Sequence, residues 1–306
     1  MHLLYVVFVQ RKDDDMKRVG IVTDSHGGIS MEEAKELGVK VVPMPFYFGD
    51  DCYYEGVSIT RNDFFERLNN GENVSTSQPS PEAVMEMWRE GLTEYESILY
   101  MPISSGLSGS CNTARILASE EEFEGKVFVV DNGRVATPMH RSILDALELI
   151  EEGLSAKEVQ NTLEKYGSKM SIYIAVETLE HLKKGGRITP ATAAIGTVLN
   201  IKPILKLNTG VLENYKKSRG MKKARQEMLA AMKHDFEVTF KEYADKNEIY
   251  LMAASSADES TTQEWVNEIK EYFPGMEVLC DDLSLGICCH TGEGALGIGC
   301  SCRPRQ

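Results

Sequence analysis

Ile98-Leu99-Tyr100-Met101-Pro102-Ile103-Ser104-Ser105-Gly106-Leu107-Ser108-Gly109 passes from an apolar run into a loop of hydroxyls and glycines. A helix is predicted directly after it, over 108–122. Strand, Gly/Ser loop and helix in that order form the unit from which parallel α/β sheets are built. The same order makes a small anion cradle. Glycines let the backbone come close, and the first N–H groups of a helix lack internal partners. A second hydroxyl-rich loop, Ser75-Thr76-Ser77-Gln78-Pro79-Ser80-Pro81, lies about thirty residues upstream, roughly the span of one α/β unit. Two such loops at neighbouring strand ends suit one small anionic group.

Outward from this unit, the first half of the chain repeats the pattern. A strand over 19–23 ends at Asp24-Ser25, a short helix covers 30–37, and 39–48 reads as two extended pieces broken by Pro43 and Pro45. Helices are predicted over 60–69, capped by Thr60 with Asp63 three residues on, and over 81–90, with Pro81 in the first turn. A strand over 126–130 and helices over 141–152 and 155–167 complete this half. Polar residues collect at the strand ends, so the fold class is α/β with a doubly wound parallel sheet. The second half is mixed. Strands are predicted over 172–176, 202–206, 211–215, 249–254 and 277–280, and helices over 179–184, 192–199, 222–245 and 261–272. Asn208-Thr209-Gly210 is a hairpin turn. This pattern predicts a second, smaller α+β domain over 168–306 behind a first domain over 16–167. Residues 1–15 read as an appendage, because Arg11-Lys12-Asp13-Asp14-Asp15 sets them apart and Met16 serves as a start codon in this reading.

With 306 residues, 26% charged and 42% hydrophobic, the chain has the balance of a soluble globular protein. Its net charge of −14 repels nucleic acid. No apolar run approaches the roughly 20 residues that span a bilayer. The run Leu3 to Val9 also lacks the basic start and cleavage site of a signal peptide, so a cytoplasmic location is expected. The seven cysteines, an odd number, read as reduced thiols. Cys280, Cys288, Cys289, Cys300 and Cys302 with His290 contain no Cys-x-x-Cys pair, so buried thiols are expected there and no metal.

Four further clusters carry polar chemistry: Asp24-Ser25, Thr76-Ser77-Gln78, Lys184-Gly185-Gly186-Arg187-Ile188, and His290-Thr291-Gly292-Glu293-Gly294. With the Ser104 loop they supply hydroxyls, one guanidinium and one imidazole, a set suited to a carboxylate or phosphate. These stretches, with Leu199-Asn200-Ile201-Lys202-Pro203-Ile204-Leu205 and Arg219-Gly220-Met221-Lys222-Lys223-Ala224, occur in an order that resembles the DegV family of bacterial fatty-acid-binding proteins. The resemblance covers Lys17 to Gly299. It implies a Rossmann-like first domain, a second α/β domain, and a long-chain fatty acid held between them as ligand, with no cofactor. It places the carboxylate at Thr76 and Ser105, with Ser104 adjacent and His290 near the head group. Arg187 takes the position of the family's Gly-Gly-Arg arginine. It also implies that the acid is handed to a separate ATP-dependent kinase, which makes this chain a carrier and not the catalyst.

The sequence departs from the family pattern at His26, at Asn132 and at Glu293, which adds an acid near the expected head-group site. Two other functions compete. One is a serine hydrolase using Ser105 or Ser108 with His290, although Gly-x-Ser-x-Gly is absent. The other is a DNA-binding regulator using the basic run Lys216-Lys217-Ser218-Arg219-Gly220-Met221-Lys222-Lys223-Ala224-Arg225. That run reads as a loop and helix start. In so acidic a chain it fits an acidic kinase surface or anionic lipid head groups of a membrane surface better than nucleic acid.

Overall fold

A computed structural model describes residues 17–193, 200–208 and 210–305. The predicted appendage, most of the predicted helix over 192–199 and Thr209 of the hairpin turn lie outside the described residues. The first layer is built from β1 (Lys17–Asp24), α1 (Met31–Leu37) and β2 (Val39–Val42). An excursion follows through β3 (Phe46–Phe48), β4 (Asp51–Tyr53), α2 (Arg61–Asn69) and β5 (Val74–Thr76). The chain then returns as α3 (Pro81–Leu92), β6 (Tyr95–Met101), α4 (Ser110–Ala118), β7 (Val127–Val129), α5 (Thr137–Glu151) and α6 (Ala156–Lys165).

Strands β2, β1, β6 and β7 pair in that order, all parallel. Alternation along β1 sends Ile21 to one face and Val22 to the other. Ile21, Val41 and Leu99 pack with Ile143 and Val159 of α5 and α6, whereas Val22, Val42 and Tyr100 pack with Trp88 and Ala114 of α3 and α4. The sheet is therefore covered on both faces, as the doubly wound reading requires.

The second half contains β8 (Met170–Ala175), α7 (Glu180–Gly185), α8 (Pro190–Ala193), β9 (Ile201–Asn208), β10 (Val211–Arg219) and α9 (Met221–His234). After a π-helical turn (Asp235–Thr239) come α10 (Lys241–Ala244), β11 (Ile249–Ser255), α11 (Glu259–Tyr272), β12 (Val278–Asp282), α12 (Leu285–Thr291) and β13 (Leu296–Cys302). The six strands form one mixed sheet in the order β10-β9-β8-β13-β11-β12. Leu296, Ile298, Cys300 and Cys302 pack with Trp265, Met228 and Met232 under α9 and α11. The opposite face joins Ile174, Leu205 and Leu285 to Phe46, Phe48 and Phe64 of the excursion. Through that cluster the small antiparallel sheet β4-β3-β5 is fixed against the second sheet, with Thr76 paired opposite Phe46.

Several elements differ from expectation. Leu296–Cys302 reads as a Gly-rich tail in the sequence but is a fully buried strand between β8 and β11. The helix predicted over 222–245 is interrupted at the π turn, where Asp235 accepts from Tyr173 OH at 2.8 Å and from Thr239 Oγ1 at 2.9 Å. Lys216, Lys217 and Arg219 belong to edge strand β10 and not to a loop, because β9 supplies their backbone partners.

The cradle loop is held from two sides. Asp24, fully buried at the end of β1, accepts the N–H of His26 at 2.9 Å and of Ile103 at 2.8 Å on separate oxygens. On the far side Gly106 meets the β9–β10 hairpin so closely that an added Cβ would lie 2.7 Å from the Gly210 carbonyl oxygen. Asp24→Asn places an NH₂ donor against one of the two N–H donors. Unfolding in urea is expected to show a loss of about 1–3 kcal/mol, the effect of one buried unmade hydrogen bond.

Candidate ligand-binding site

Between the two large sheets lies a cavity of about 230 Å³. The second sheet contributes Ile172, Ile174, Met252 and Leu207, and the first half contributes Met44, Ile103, Leu107 and Pro138. Strand alternation turns Gly297 and Gly299 toward this side, opposite Leu296, Ile298 and Cys300. Glycines inside a strand leave volume that a side chain would fill. The polar lining consists mainly of Thr76, Ser77, Gln78, Ser108, Arg187, His26 and His290.

Thr76 closes β5 and His290 sits in the last turn of α12, and Thr76 Oγ1 lies 2.9 Å from His290 Nε2. The ring occupies the space over Gly185. A Cβ there would fall within 1.9 Å of Nδ1, so the first glycine of the Gly-Gly-Arg stretch is the seat of the imidazole. Gly186 ends α7 in the left-handed conformation, φ 68°, and turns the chain toward Arg187. Arg187 Nε donates to the Leu107 carbonyl at 3.2 Å, and its Nη1 donates to the Gly185 carbonyl. The guanidinium thus ties the second half of the chain to the cradle loop.

The expected serines divide differently. Ser104 is buried, and its Oγ accepts the Gly106 N–H at 3.2 Å. The Ser105 N–H donates to Asp131 Oδ1 at 3.3 Å. Neither residue lines the cavity, whereas Ser108 does. Ser108 Oγ accepts the Ser110 N–H at 3.2 Å, which leaves its own proton free to donate. The sequence pointed to Ser108 only as a nucleophile, because the loop's turn, not its composition, decides which hydroxyl faces inward. His290 bonds Thr76, and no serine hydroxyl is bonded to it among the described residues. The expected pair of Ser105 or Ser108 with His290 is not assembled among the described residues.

His26, one of the departures noted in the sequence, is among the cavity residues. It is buried, lines the cavity, and its Nδ1 lies 2.9 Å from Ser284 Oγ across the two halves. Asn132 lies away from the cavity, donating to Ser142 Oγ at 2.9 Å and accepting the Arg134 N–H at 3.3 Å. Glu293 corrects an expectation. It is exposed and accepts from Asn69 Nδ2 at 2.6 Å, so it adds no acid to the site. Cys288, Cys289, Cys300 and Cys302 are buried thiols, and burial pushes those of Cys288 and Cys302 up to about 12. Among the described residues, no group of three His, Cys, Asp or Glu side chains is placed to hold a metal.

Burial, reinforced by the charge of Arg187 and by His26 and His181, lowers the His290 pKa to about 4. Burial alone lowers that of His26 to the same value. Both rings are therefore neutral at pH 7. His290 Nδ1 has no hydrogen-bond partner among the described residues.

The model of the family described as "Uncharacterised protein, DegV family" matches residues 18–302. The chain belongs to the DegV family. A DegV domain-containing protein of Clostridium perfringens is 30% identical over 290 residues, covering 92% of this chain and 97% of its own. A DegV family protein from Thermus thermophilus, solved for its fatty acid binding, is 35% identical with a TM-score of 0.82, over 93% of this chain and 99% of its own. DegV from Bacillus subtilis, a fatty acid binding protein, is 25% identical with a TM-score of 0.78, over 94% and 100%. The α/β architecture described above, a parallel sheet flanked by helices and a separate mixed sheet, is that of these DegV structures. No helix among the described residues is long and apolar enough to cross a membrane.

The neutral imidazoles make acid stability a test of the site. A histidine held near 4 in the fold and near 6.5 when unfolded takes up its proton only on unfolding between those values. Its contribution is complete above pH 6.5 and is lost as pH falls through 4. In His290→Gln the unfolding free energy should therefore fall less steeply between pH 6.5 and 4. Urea titrations should show a slope smaller by about 1.4 kcal/mol per pH unit at most, the value for one proton.

Proposed function

We propose that this protein binds one long-chain fatty acid between its two domains, 16–167 and 168–306. It presents the carboxylate to a separate ATP-dependent kinase and does not catalyse the step itself. The observation that carries the reading is the Thr76–His290 pair set in the wall of a mainly apolar cavity. The 35% identity to the fatty-acid-binding Thermus protein supports it.

The tail supplies most of the affinity. At ~0.8 kcal/mol per buried CH₂, a 16-carbon chain gains roughly 11 kcal/mol before the losses of ordering and association are subtracted. The carboxylate must then find donors, since a buried unpaired charge is costly. A neutral His290 with its proton on Nε2 donates to Thr76 Oγ1, which turns the Thr76 proton toward the carboxylate. Ser108 adds a second hydroxyl, and Arg187 adds positive charge. In this reading Ser104 and Ser105 shape the loop that carries Ser108 instead of touching the ligand. Hydroxyl donors hold the acid without the tight ion pair a lysine would form, so one oxygen stays available. In the kinase step that oxygen attacks the γ-phosphorus of ATP, the bond to the ADP oxygen breaks, and acyl phosphate and ADP result. A cytoplasmic setting suits this exchange. The basic residues on β10 suit docking to an acidic kinase surface or to anionic lipid head groups at a membrane surface.

The protein purified without denaturant should release a fatty acid detectable by mass spectrometry. Calorimetry with palmitate should show about tenfold weaker binding in Thr76→Ala and Ser108→Ala, the value of one hydrogen bond to a charged group, and little change in Ser105→Ala. Unaltered palmitate affinity in Thr76→Ala and Ser108→Ala would remove the head-group assignment, and a wild type that ignores palmitate would remove the function.

A further inference from the structure

A second cavity of about 160 Å³ lies against the first, and Thr76, Arg187 and His290 line both. Leu68, Val74 and Cys289 give it an apolar part, and the rest of its wall is polar. His181 and Lys184 come from α7, Gly185 from its end, and Ser75 and Glu72 from the segment leading into and through β5. Lys184 is exposed in the last turn of α7. The one carboxylate in this wall is already engaged, because Arg67 donates to Glu72 Oε2 through Nε at 2.9 Å and Nη2 at 2.7 Å. Lys184 and Arg187 are then the charges left without a counter-charge in the wall, and the space carries a positive field.

The unpartnered nitrogen of His290 is on this side. Nδ1 sits over Gly185, a residue of the second cavity, while Nε2 is spent on Thr76. Thr76, Arg187 and His290 form the wall that the two cavities share, so in the fatty-acid reading a carboxylate bonded at Thr76 lies beside this space, and a group attached to it on that side would enter the second cavity. The neutral tautomer with its proton on Nδ1 donates to a phosphate oxygen, while Nε2 accepts from the Thr76 hydroxyl.

We infer that the second cavity is a phosphoryl subsite, which receives the phosphate of an acyl phosphate and holds it with Lys184, Arg187 and the ring nitrogens of His181 and His290. The inference rests on the fatty-acid reading for the position of the acyl chain. It assigns to Lys184 and His181 a role that the bound fatty acid alone does not give them. Tetrahedral dianions gain more from such a cationic wall than carboxylates do, because they present three charged oxygens. The subsite therefore favours retention of the phosphorylated product over the free acid.

The test compares palmitate with 2-oxoheptadecylphosphonate, in which a CH₂ replaces the bridging oxygen of palmitoyl phosphate. Affinities are measured by calorimetry on the wild type, Lys184→Gln and Lys184→Arg, with thermal unfolding of each variant as a control on the fold. The phosphonate should bind about tenfold more weakly to Lys184→Gln, palmitate should bind equally to both, and Lys184→Arg should restore the phosphonate. The phosphonate affinity of the wild type should also fall with added salt more than that of palmitate. Equal losses for the two ligands, or no loss for the phosphonate, overturn the subsite while leaving the fatty-acid reading intact. A wild type that binds neither ligand overturns both.

Discussion

The Asp24 carboxylate is the constraint on which the site depends. It is fully buried, it ends β1, and its two oxygens hold the backbone N–H groups of His26 and Ile103. One side chain thereby fixes where two parallel strands release their loops. Burial raises its pKa to about 6, so the ionised form is held against a desolvation penalty that the two N–H groups only partly offset. Everything that follows Ile103, including Ser108 and the contact between Gly106 and Gly210, inherits its position from that pair of bonds.

The parallel strands and the helices of the first domain were legible because they carry local signals, whereas the short strands β4 and β5 were not predicted. Thr60 caps the helix that the sequence assigns to it, and Ser30, Ser80 and Ser155 cap three more, each accepting the N–H three residues on. Elements without local signals were missed. Strand β13 contains four apolar positions separated by glycine and serine, which reads as a tail. Its strand character comes from the neighbours β8 and β11, which supply hydrogen bonds on both sides. The break in the helix over 222–245 likewise follows from a tertiary bond, Tyr173 OH to Asp235, that no local pattern announces.

The site was legible in kind but less so in detail. Thr76, Arg187 and His290, read from separate motifs, line one cavity, and the glycine that precedes Gly186-Arg187 has a spatial cause, because Gly185 lies under the imidazole. The choice among Ser104, Ser105 and Ser108 was not available from the sequence. Three hydroxyls within five residues are equivalent until the loop's turn is known, and that turn is set by Asp24 and Arg187 from outside the loop. His26 was visible only as a departure. Its partner Ser284 lies 258 residues away.

The glycines of β13 give the cavity a property that side chains cannot. At Gly297 and Gly299 the wall is main chain held on both edges by neighbouring strands, and main chain has no rotamers through which to yield. An added Cβ at Gly297 would meet only ordinary contacts with the protein, 3.5 Å to the Ala254 carbonyl oxygen. The volume it took would come from whatever occupies the cavity. Along that wall the outline of the cavity is fixed, and any change in its shape falls to the side chains facing it.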